Sequence, residues 1–292
     1  MRLLLIGNTG QLGWELERSL APLGEVIAVD YPQINMADPD SIVDWVKQTH
    51  PDGIINASAY TAVDRAEQES DLAEAINAIG PGILAEQAKK QRAFLIHYST
   101  DYVFDGLKKS PYLEEDLPNP LGVYGSSKYK GEQVVYQNGG AYLIFRTAWV
   151  YSLRRDSFVT KVLGWARSQT VLKLVTDQVS NPTWARMLAE VTSLLIAKGD
   201  GAPFQYIADK TGLYHLAGDG YTSRLDWGSA ILRYDPRPQE QIVREILPAV
   251  TADFITPAQR PLFSALNCDK FKHTFGLCLP FWEATLKTSL QS

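Results

Sequence analysis

A tyrosine and a lysine four residues apart, Tyr124 and Lys128, are the side chains best suited to proton transfer in this sequence. On a helix they would share one face, with β-carbons about 6 Å apart. A neighbouring ammonium lowers the pKa of a phenol from its usual value of about 10 toward the range useful in catalysis. The same spacing recurs at Tyr206 and Lys210, which we interpret as a surface pair because no strand end that could hold a cofactor lies nearby. The first pair therefore predicts a proton donor.

Thr100 and Asp101 directly follow an apolar segment, residues 93–98, that is typical of a buried strand. In a doubly wound sheet, ligands bind at the carboxyl ends of the strands. Tyr124 begins a predicted helix after this strand. We therefore expect the Thr100 hydroxyl to hydrogen-bond the same substrate oxygen that Tyr124 protonates.

Three glycines, Gly7, Gly10 and Gly13, follow the first apolar segment and precede a helical pattern. Such glycines permit a sharp turn, close approach of the backbone to a pyrophosphate, and tight packing of helix on strand. The spacing is G-x-x-G-x-x-G rather than G-x-G-x-x-G, and a tight turn without a ligand is the alternative. Asp30 ends the second predicted strand. In dinucleotide-binding folds a carboxylate at this position accepts hydrogen bonds from the adenosine ribose, but an aspartate that only ends a strand in a turn is about as common there.

The alternation of strands and helices up to residue 150 predicts an α/β fold with a Rossmann-type doubly wound parallel sheet. We expect a dinucleotide-binding domain over residues 1–150 and a smaller substrate-binding α/β lobe over residues 151–292. The helix predicted at 183–198 is a candidate to pack back onto the first domain. Longer irregular stretches in the second part suit a lobe that grips a substrate.

The composition of the 292 residues limits the function classes. With 28 basic and 33 acidic side chains, the chain has no excess positive charge for nonspecific binding of nucleic acid or anionic membranes. The sequence has neither a signal-peptide pattern nor an apolar run of about 18 residues, so we expect a cytoplasmic protein. Cys268 and Cys278 are interpreted as reduced thiols, because they lack the partners of a zinc site.

These motifs resemble the extended short-chain dehydrogenase/reductases. Residues 56–64, 98–106, 145–151, 181–183 and 256–261 narrow the resemblance to the dTDP-4-dehydrorhamnose reductases, and it extends from Arg2 to about Leu286. The resemblance implies reduction of the C4 ketone of dTDP-4-dehydro-L-rhamnose by NADPH or NADH. It implies that Tyr124 donates the proton, that Lys128 holds the nicotinamide ribose and that Thr100 orients the carbonyl.

The resemblance also implies two sets of binding residues. The cofactor is expected to contact Gly7, Gly10, Gln11, Leu12, Gly13, Asp30, Asn35, Met36, Ala59, Tyr60, Thr61, Tyr98, Tyr124 and Lys128. The substrate is expected to contact Thr100, Asp101, Tyr102, Trp149, Asn181 and Arg260. Three of these have structural alternatives: Trp149 as a core aromatic, Asp101 as a turn cap, and Arg260 as a solvated or interface arginine instead of a diphosphate ligand.

Two departures from the family pattern affect the expected metal site and the expected choice of cofactor. Members that dimerise around magnesium supply glutamates; Glu15 is present, but Arg186 stands where a second glutamate is expected. A cation there repels a divalent metal, so we expect no metal site and a monomer or weak homodimer. Asp30 suits the free ribose hydroxyl of NADH, and no arginine follows it to bind the 2′-phosphate of NADPH, although family members often accept both.

Two other functions share the fold. A sugar-nucleotide 4-epimerase would show no net oxidation of the cofactor, and a 4,6-dehydratase usually carries Asp-Glu after the active-site threonine, where this chain has Asp101-Tyr102. A noncatalytic protein similar to the methionine adenosyltransferase beta subunit would bind a partner instead. The intact Thr100, Tyr124 and Lys128 favour an enzyme.

Overall fold

The structure is a computed structural model that describes residues 1–291. Its strands in chain order are β1 (Arg2–Ile6), β2 (Glu25–Val29), β3 (Gly53–Asn56), β4 (Phe94–Thr100), β5 (Tyr142–Thr147), β6 (Val150–Tyr151), β7 (Val171–Val175), β8 (Val179–Ser180), β9 (Thr183–Trp184), β10 (Gly212–His215), β11 (Thr222–Ser223) and β12 (Glu245–Ala249).

The α-helices are α1 (Gln11–Leu20), α2 (Pro39–Thr49), α3 (Val63–Ala66), α4 (Ser70–Glu74), α5 (Gly80–Gln91), α6 (Val123–Asn138), α7 (Phe158–Ala166), α8 (Ala185–Ala197), α9 (Pro203–Ala208), α10 (Arg224–Arg233), α11 (Asp269–Phe275) and α12 (Trp282–Gln291). Within residues 1–291, no helix is both long and apolar enough to cross a membrane.

The central sheet of the described residues has the order β10-β5-β4-β3-β1-β2, and all of its neighbours pair in parallel. β3 to β5 are buried along their whole length, as expected for a parallel sheet covered on both faces. The chain leaves β1 for β2 on one side and returns to β3 on the other. Ligands bind outside the strand ends at such a switch point. The predicted doubly wound α/β fold is confirmed.

Two apolar cores lie on opposite faces of this sheet. Side chains of α1, α8, α9 and α11 form one, and side chains of α2, α5 and α6 form the other. α8 packs on α1, where the Ser19 hydroxyl donates to the carbonyl of Ala189 at 3.1 Å and the Ser193 hydroxyl donates to that of Ser19 at 2.5 Å. The first layer therefore includes a helix from the second half of the chain.

The sixth strand of the sheet, β10, also comes from the second half, and the sequence analysis did not identify it. Residues 212–215 pair with residues 143–146 of β5. Its four residues follow a loop and are too few to show the hydrophobic periodicity of a strand. The division of the chain at residue 150 stays a prediction.

The remaining elements form the second lobe. β7 pairs with β12, β8 with β11, and β6 with β9, each as a two-stranded sheet. Helices α7, α10 and α12 pack around a core that contains Trp184, Trp227 and Trp282. Its segments 177–183 and 250–266 approach the carboxyl end of β4 through contacts described below.

A π-helical turn, Ala75–Ile79, lies directly before α5. This turn holds Asn77, which has no exposed surface. Its side chain accepts from the amide of Tyr60 at 2.8 Å and donates to the carbonyl of Tyr60 at 3.1 Å. It also donates to the hydroxyl of Ser127 on α6 at 3.1 Å. Asn77 thus fixes the loop after β3 relative to α6.

Candidate active site

The turn after β1 brings three backbone segments together. Gly7 has φ +91°, a conformation that favours glycine. A β-carbon at Gly7 would lie 2.7 Å from the amide nitrogen of Ser58, and one at Gly13 would lie 2.0 Å from the carbonyl oxygen of Gly7. Helix α1 therefore packs directly on the turn, as the glycine pattern predicts.

Helix α1 begins at this turn without a side-chain cap. Gly10 is the capping residue, and it supplies no side-chain hydrogen bond to the first amides. The unpaired amides and the helix dipole favour an anion. A cleft of about 870 Å³ opens here, a volume typical of small-molecule sites. The glycine turn, the uncapped helix and the cleft fit the pyrophosphate and rings of a dinucleotide.

Asp30 lines the cleft directly after β2. Its Oδ2 accepts from the amide of Thr9 at 3.2 Å and from the hydroxyl of Thr9 at 2.5 Å, and its Oδ1 accepts from the amide of Tyr31 at 2.8 Å. The carboxylate is thereby held beside the glycine turn. In this position it can accept a ribose hydroxyl.

Tyr124 lies on the first turn of α6 and lines the cleft. Protein atoms surround its phenol, although part of the side chain faces the open cleft. This burial raises the pKa of Tyr124 well above its usual value, while the Thr100 hydroxyl acts in the opposite direction. Its ring also meets the edge of Tyr102 at 5.8 Å between centroids. At neutral pH the phenol keeps its proton, which it must have in order to donate it.

Lys128 lies one turn further along α6 and is 2 % exposed. Its Nζ donates to the carbonyl of Tyr98 at 2.6 Å and lies 3.5 Å from Nε2 of His97. Burial lowers the pKa of Lys128 to about 8, and the Glu132 carboxylate acts against this shift. The expectation that Lys128 lowers the pKa of Tyr124 is not met here. The ammonium is turned toward β4, and burial dominates the pKa of the phenol.

Asp101 joins the end of β4 to two loops of the second lobe. Its Oδ2 accepts from the hydroxyls of Ser180 at 3.0 Å and Ser264 at 2.5 Å, and its Oδ1 accepts from Thr100 at 3.2 Å. Burial raises the pKa of Asp101 to about 6, although these hydroxyls favour the charged form. The residue lines the cleft and also fixes the lobe to the sheet.

Most of the predicted site residues line this one cleft. They are Gly7, Gly10, Gln11, Leu12, Asp30, Asn35, Met36, Ala59, Thr61, Tyr98, Thr100, Asp101, Tyr124, Lys128 and Trp149. Gly13, Tyr60, Tyr102, Asn181 and Arg260 are not part of its lining. Gly13 lies beneath the turn, and the Tyr60 hydroxyl donates to Glu69.

Asn181 has a structural position inside the second lobe. Its side chain donates to the carbonyls of Gly218 at 3.2 Å and Gly220 at 2.8 Å, and it accepts from the amide of Leu266 at 2.7 Å. These three bonds use both ends of the amide and join three loops. The geometry gives Asn181 a role in holding the lobe together; its predicted contact with substrate stays a prediction.

Arg260 lies on the loop 256–261 and pairs with Asp64 of α3 at 2.7 Å. Burial opposes its charged form, but the Tyr102 hydroxyl and the Asp64 carboxylate outweigh this effect and leave the pKa of Arg260 raised. Tyr102 lies against Tyr124. Arg260 is therefore an interface arginine close to Tyr102, and its predicted contact with a diphosphate stays a prediction.

Trp149 follows β5 with φ +40°, a conformation that non-glycine residues seldom adopt. Its ring stacks on Trp227 at 5.3 Å between centroids. The guanidinium carbon of Arg224 lies 3.6 Å from the centre of the Trp149 ring. Trp149 therefore both lines the cleft and contacts the core of the second lobe, so neither of its two interpretations excludes the other.

Arg224 is a candidate binding residue that the sequence analysis missed. Burial lowers its pKa to about 10, and the nearby Tyr102 and Asp101 favour its charged form. Among the ion pairs of residues 1–291, none includes Arg224. Its position after Ser223 at the start of a helix does not distinguish it from a surface arginine in the sequence.

The residues considered for magnesium lie outside the cleft. Burial raises the pKa of Glu15, and Arg186 is the strongest of the charges that act against this shift. Arg186 pairs with Glu190 at 3.3 Å. Within the described part of the chain, no cluster of three histidine, cysteine or acidic residues is arranged to hold a metal ion.

Comparisons with known proteins identify the family. The family model of the RmlD substrate binding domain matches residues 1–292. The dTDP-4-dehydrorhamnose reductase of Escherichia coli (strain K12) is 39 % identical to the chain, over 99 % of this chain and 97 % of the relative.

Two solved structures of dTDP-4-dehydrorhamnose reductases are similar to this chain over its whole length. That from Clostridium acetobutylicum has a TM-score of 0.91 at 34 % identity, and covers 100 % of this chain and 99 % of its own. That from Bacillus anthracis, solved in complex with NADP, has a TM-score of 0.88 at 31 % identity, with coverage of 99 % and 98 %. The chain belongs to the dTDP-4-dehydrorhamnose reductase family.

Proposed function

We propose that this chain reduces the C4 ketone of dTDP-4-dehydro-L-rhamnose to the alcohol of dTDP-L-rhamnose, with NADPH or NADH as the reductant. The observation that carries the proposal is the convergence of Thr100, Tyr124 and Lys128 on one cleft with the glycine turn after β1. A nicotinamide cofactor in that cleft supplies a hydride to C4 when it is bound. Family membership supports the substrate class.

Tyr124 acts as the proton donor in this proposal. As C4 gains the hydride, the electron pair of the carbonyl moves to its oxygen, and the phenol gives that oxygen a proton. Burial keeps the phenol protonated at neutral pH, because it raises the pKa of Tyr124. The hydroxyl of Thr100 lies beside the phenol and orients the same oxygen.

Lys128 holds the nicotinamide ribose. Its pKa of about 8 leaves most of it charged at pH 7, and its bond to the carbonyl of Tyr98 fixes the ammonium beside β4. A ribose hydroxyl is a suitable acceptor for its remaining protons.

We place the sugar nucleotide between the cleft and the second lobe, with a cofactor-binding part up to residue 150 and a mainly substrate-binding part beyond it. Trp149 offers an aromatic surface to the sugar, and Asp101 lines the same cleft. Arg260 and Arg224 lie close enough for their charges to interact. Two guanidiniums suit the two phosphates of the dTDP group.

The remaining features of the proposal concern cofactor choice and assembly. Asp30 places a negative charge where the 2′-phosphate of NADPH would lie, which favours NADH. Arg186 disfavours a bridging divalent metal, so we propose a monomer or weak homodimer. The chain would work in the cytoplasm, where both nicotinamides are available.

One coupled assay tests the function. The 4-keto substrate is generated enzymatically from dTDP-glucose, the protein is added, and the absorbance of the reduced nicotinamide is followed with each cofactor. We expect one equivalent of cofactor to be oxidised for each ketone reduced. An epimerase would leave the reduced cofactor unconsumed, and a binding protein would leave both reactants unchanged; either result refutes the proposal.

A further inference from the structure

One carboxylate, that of Asp64, joins the cofactor-binding side of the molecule to a loop of the second lobe. Its Oδ2 accepts from the guanidinium of Arg260 at 2.7 Å, and its Oδ1 accepts from the backbone amide of Ala258 at 3.3 Å. These partners lie 196 and 194 residues further along the chain. Both oxygens of one side chain therefore hold the same loop, residues 256–261.

This loop lies against the catalytic tyrosine. Ala258 and Pro261 line a small cavity with Tyr102 and Tyr124. Ala258 is 2 % exposed, and its carbonyl accepts from the hydroxyl of Thr256 at 2.9 Å, which braces the loop internally. The loop therefore covers the side of Tyr124 that does not face the main cleft.

An ordinary surface ion pair is the alternative interpretation. The Asp64 side chain is 41 % exposed and that of Arg260 is 23 % exposed, and exposed pairs contribute little to stability. Two features distinguish this pair. Asp64 also binds the loop backbone, and Arg260 lies close enough to Tyr102 for its pKa to be affected; the Tyr102 ring in turn meets that of Tyr124. The side chain of Tyr102 thus connects the Asp64–Arg260 pair to Tyr124.

We propose that Asp64 is a positioning residue, which holds Arg260 and the loop 256–261 in place so that the diphosphate of a sugar nucleotide meets a guanidinium already oriented toward it. The inference rests on the proposed function, because it needs Arg260 to face the substrate. A guanidinium fixed before binding loses less conformational freedom when the phosphate arrives. Asp64 acts through Arg260 and touches neither substrate nor cofactor.

The test compares Asp64→Asn with wild-type protein. Asparagine keeps the size of the side chain and an acceptor for the Ala258 amide, but it removes the charge that orients Arg260. We expect KM for the sugar nucleotide and Kd for dTDP to rise about tenfold, which corresponds to the loss of one oriented charge-assisted hydrogen bond. We expect kcat to change less than about threefold and Kd for NADH to be unchanged, because the glycine turn is untouched.

A double-mutant cycle separates positioning from a general structural effect. If Asp64 acts through Arg260, the variant Asp64→Asn/Arg260→Gln binds dTDP no more weakly than Arg260→Gln alone. Glu86→Gln is the matched control, since it removes the exposed ion pair of Glu86 with Lys90 on α5. This control should leave KM, kcat and the Kd values for dTDP and NADH unchanged.

The outcomes distinguish the inference from the function on which it rests. Wild-type protein that fails to bind dTDP overturns both. Wild-type protein that binds dTDP, with an Asp64→Asn variant of equal affinity or an additive double variant, overturns the role of Asp64 alone. If Asp64→Asn does not fold, Arg260→Lys replaces it: lysine keeps the charge but loses the planar fork, and unchanged affinity for dTDP in that variant overturns the inference.

Discussion

Replacement of Tyr124 by phenylalanine removes the proposed proton donor and little else. The phenyl ring retains the edge contact with Tyr102, which joins the two rings at 5.8 Å. The uncapped helix α1 and the glycine turn are unchanged, so the affinity for the cofactor should be nearly unchanged. The oxygen that develops at C4 would then have to take its proton from a weaker or more distant source.

The expected magnitude follows from the role of the phenol. A positioned general acid contributes about 10²- to 10⁴-fold to the rate. At 1.36 kcal/mol for each factor of ten, the activation barrier should rise by about 2.7 to 5.4 kcal/mol. The upper part of this range applies if the bound substrate excludes water from the cleft that Tyr124 lines.

The measurement combines steady-state turnover with cofactor binding. We expect kcat for Tyr124→Phe to fall while Kd for NADH, followed by its fluorescence, stays within about twofold of wild type. Tyr206→Phe is the matched control, because Lys210 Nζ lies 4.1 Å from the centre of the Tyr206 ring in an equivalent Tyr-x-x-x-Lys pair. Turnover of Tyr124→Phe above one tenth of wild type, or an equal loss in Tyr206→Phe, would refute the assignment.

Three further substitutions test the cofactor end of the cleft and the charges beneath it. Asp30→Asn removes the negative charge beside the ribose, so the ratio of kcat/KM for NADPH to that for NADH should rise by about tenfold; an unchanged ratio contradicts the role of Asp30. Burial raises the pKa of Asp101 to about 6, so the folded protein binds more protons than the unfolded chain between pH 4 and 6, and wild-type stability falls as the pH rises through this window. Asp101→Asn should therefore have the higher Tm above pH 6, with a difference that shrinks toward pH 4; a difference independent of pH would be evidence against the shift. Glu132→Gln leaves the buried guanidinium of Arg146 without its bidentate partner, so urea denaturation should show a loss of about 3–5 kcal/mol, and a loss below 1 kcal/mol would contradict this account.

Local patterns in the sequence were sufficient to predict the elements that carry the glycine turn and the Tyr124–Lys128 pair. Glycine is required at positions 7 and 13 because a β-carbon there would clash with neighbouring backbone atoms. The shared face of Tyr124 and Lys128 depends only on helix geometry. β-strands with continuous apolar runs were also recognisable. Each of these signals lies within about a dozen consecutive residues, so no knowledge of the tertiary packing was needed.

Properties that depend on distant segments could not be predicted in the same way. The pKa of Tyr124 is raised because parts of the chain far apart in sequence surround it, and the local ammonium that should lower it is directed to β4 instead. Arg260 finds its carboxylate 196 residues away, and Asn181 binds loops up to 85 residues away. Their partners follow from the fold and not from spacing.

The sixth strand of the sheet, β10, has a consequence for synthesis on the ribosome. Until residues 212–215 have emerged, β5 is the last strand of a growing sheet and presents open backbone groups along one side. An unpaired strand of this kind invites association between nascent chains. We therefore expect the first half of the protein to complete its sheet only after β10 has been added, and a chain truncated near residue 150 to aggregate.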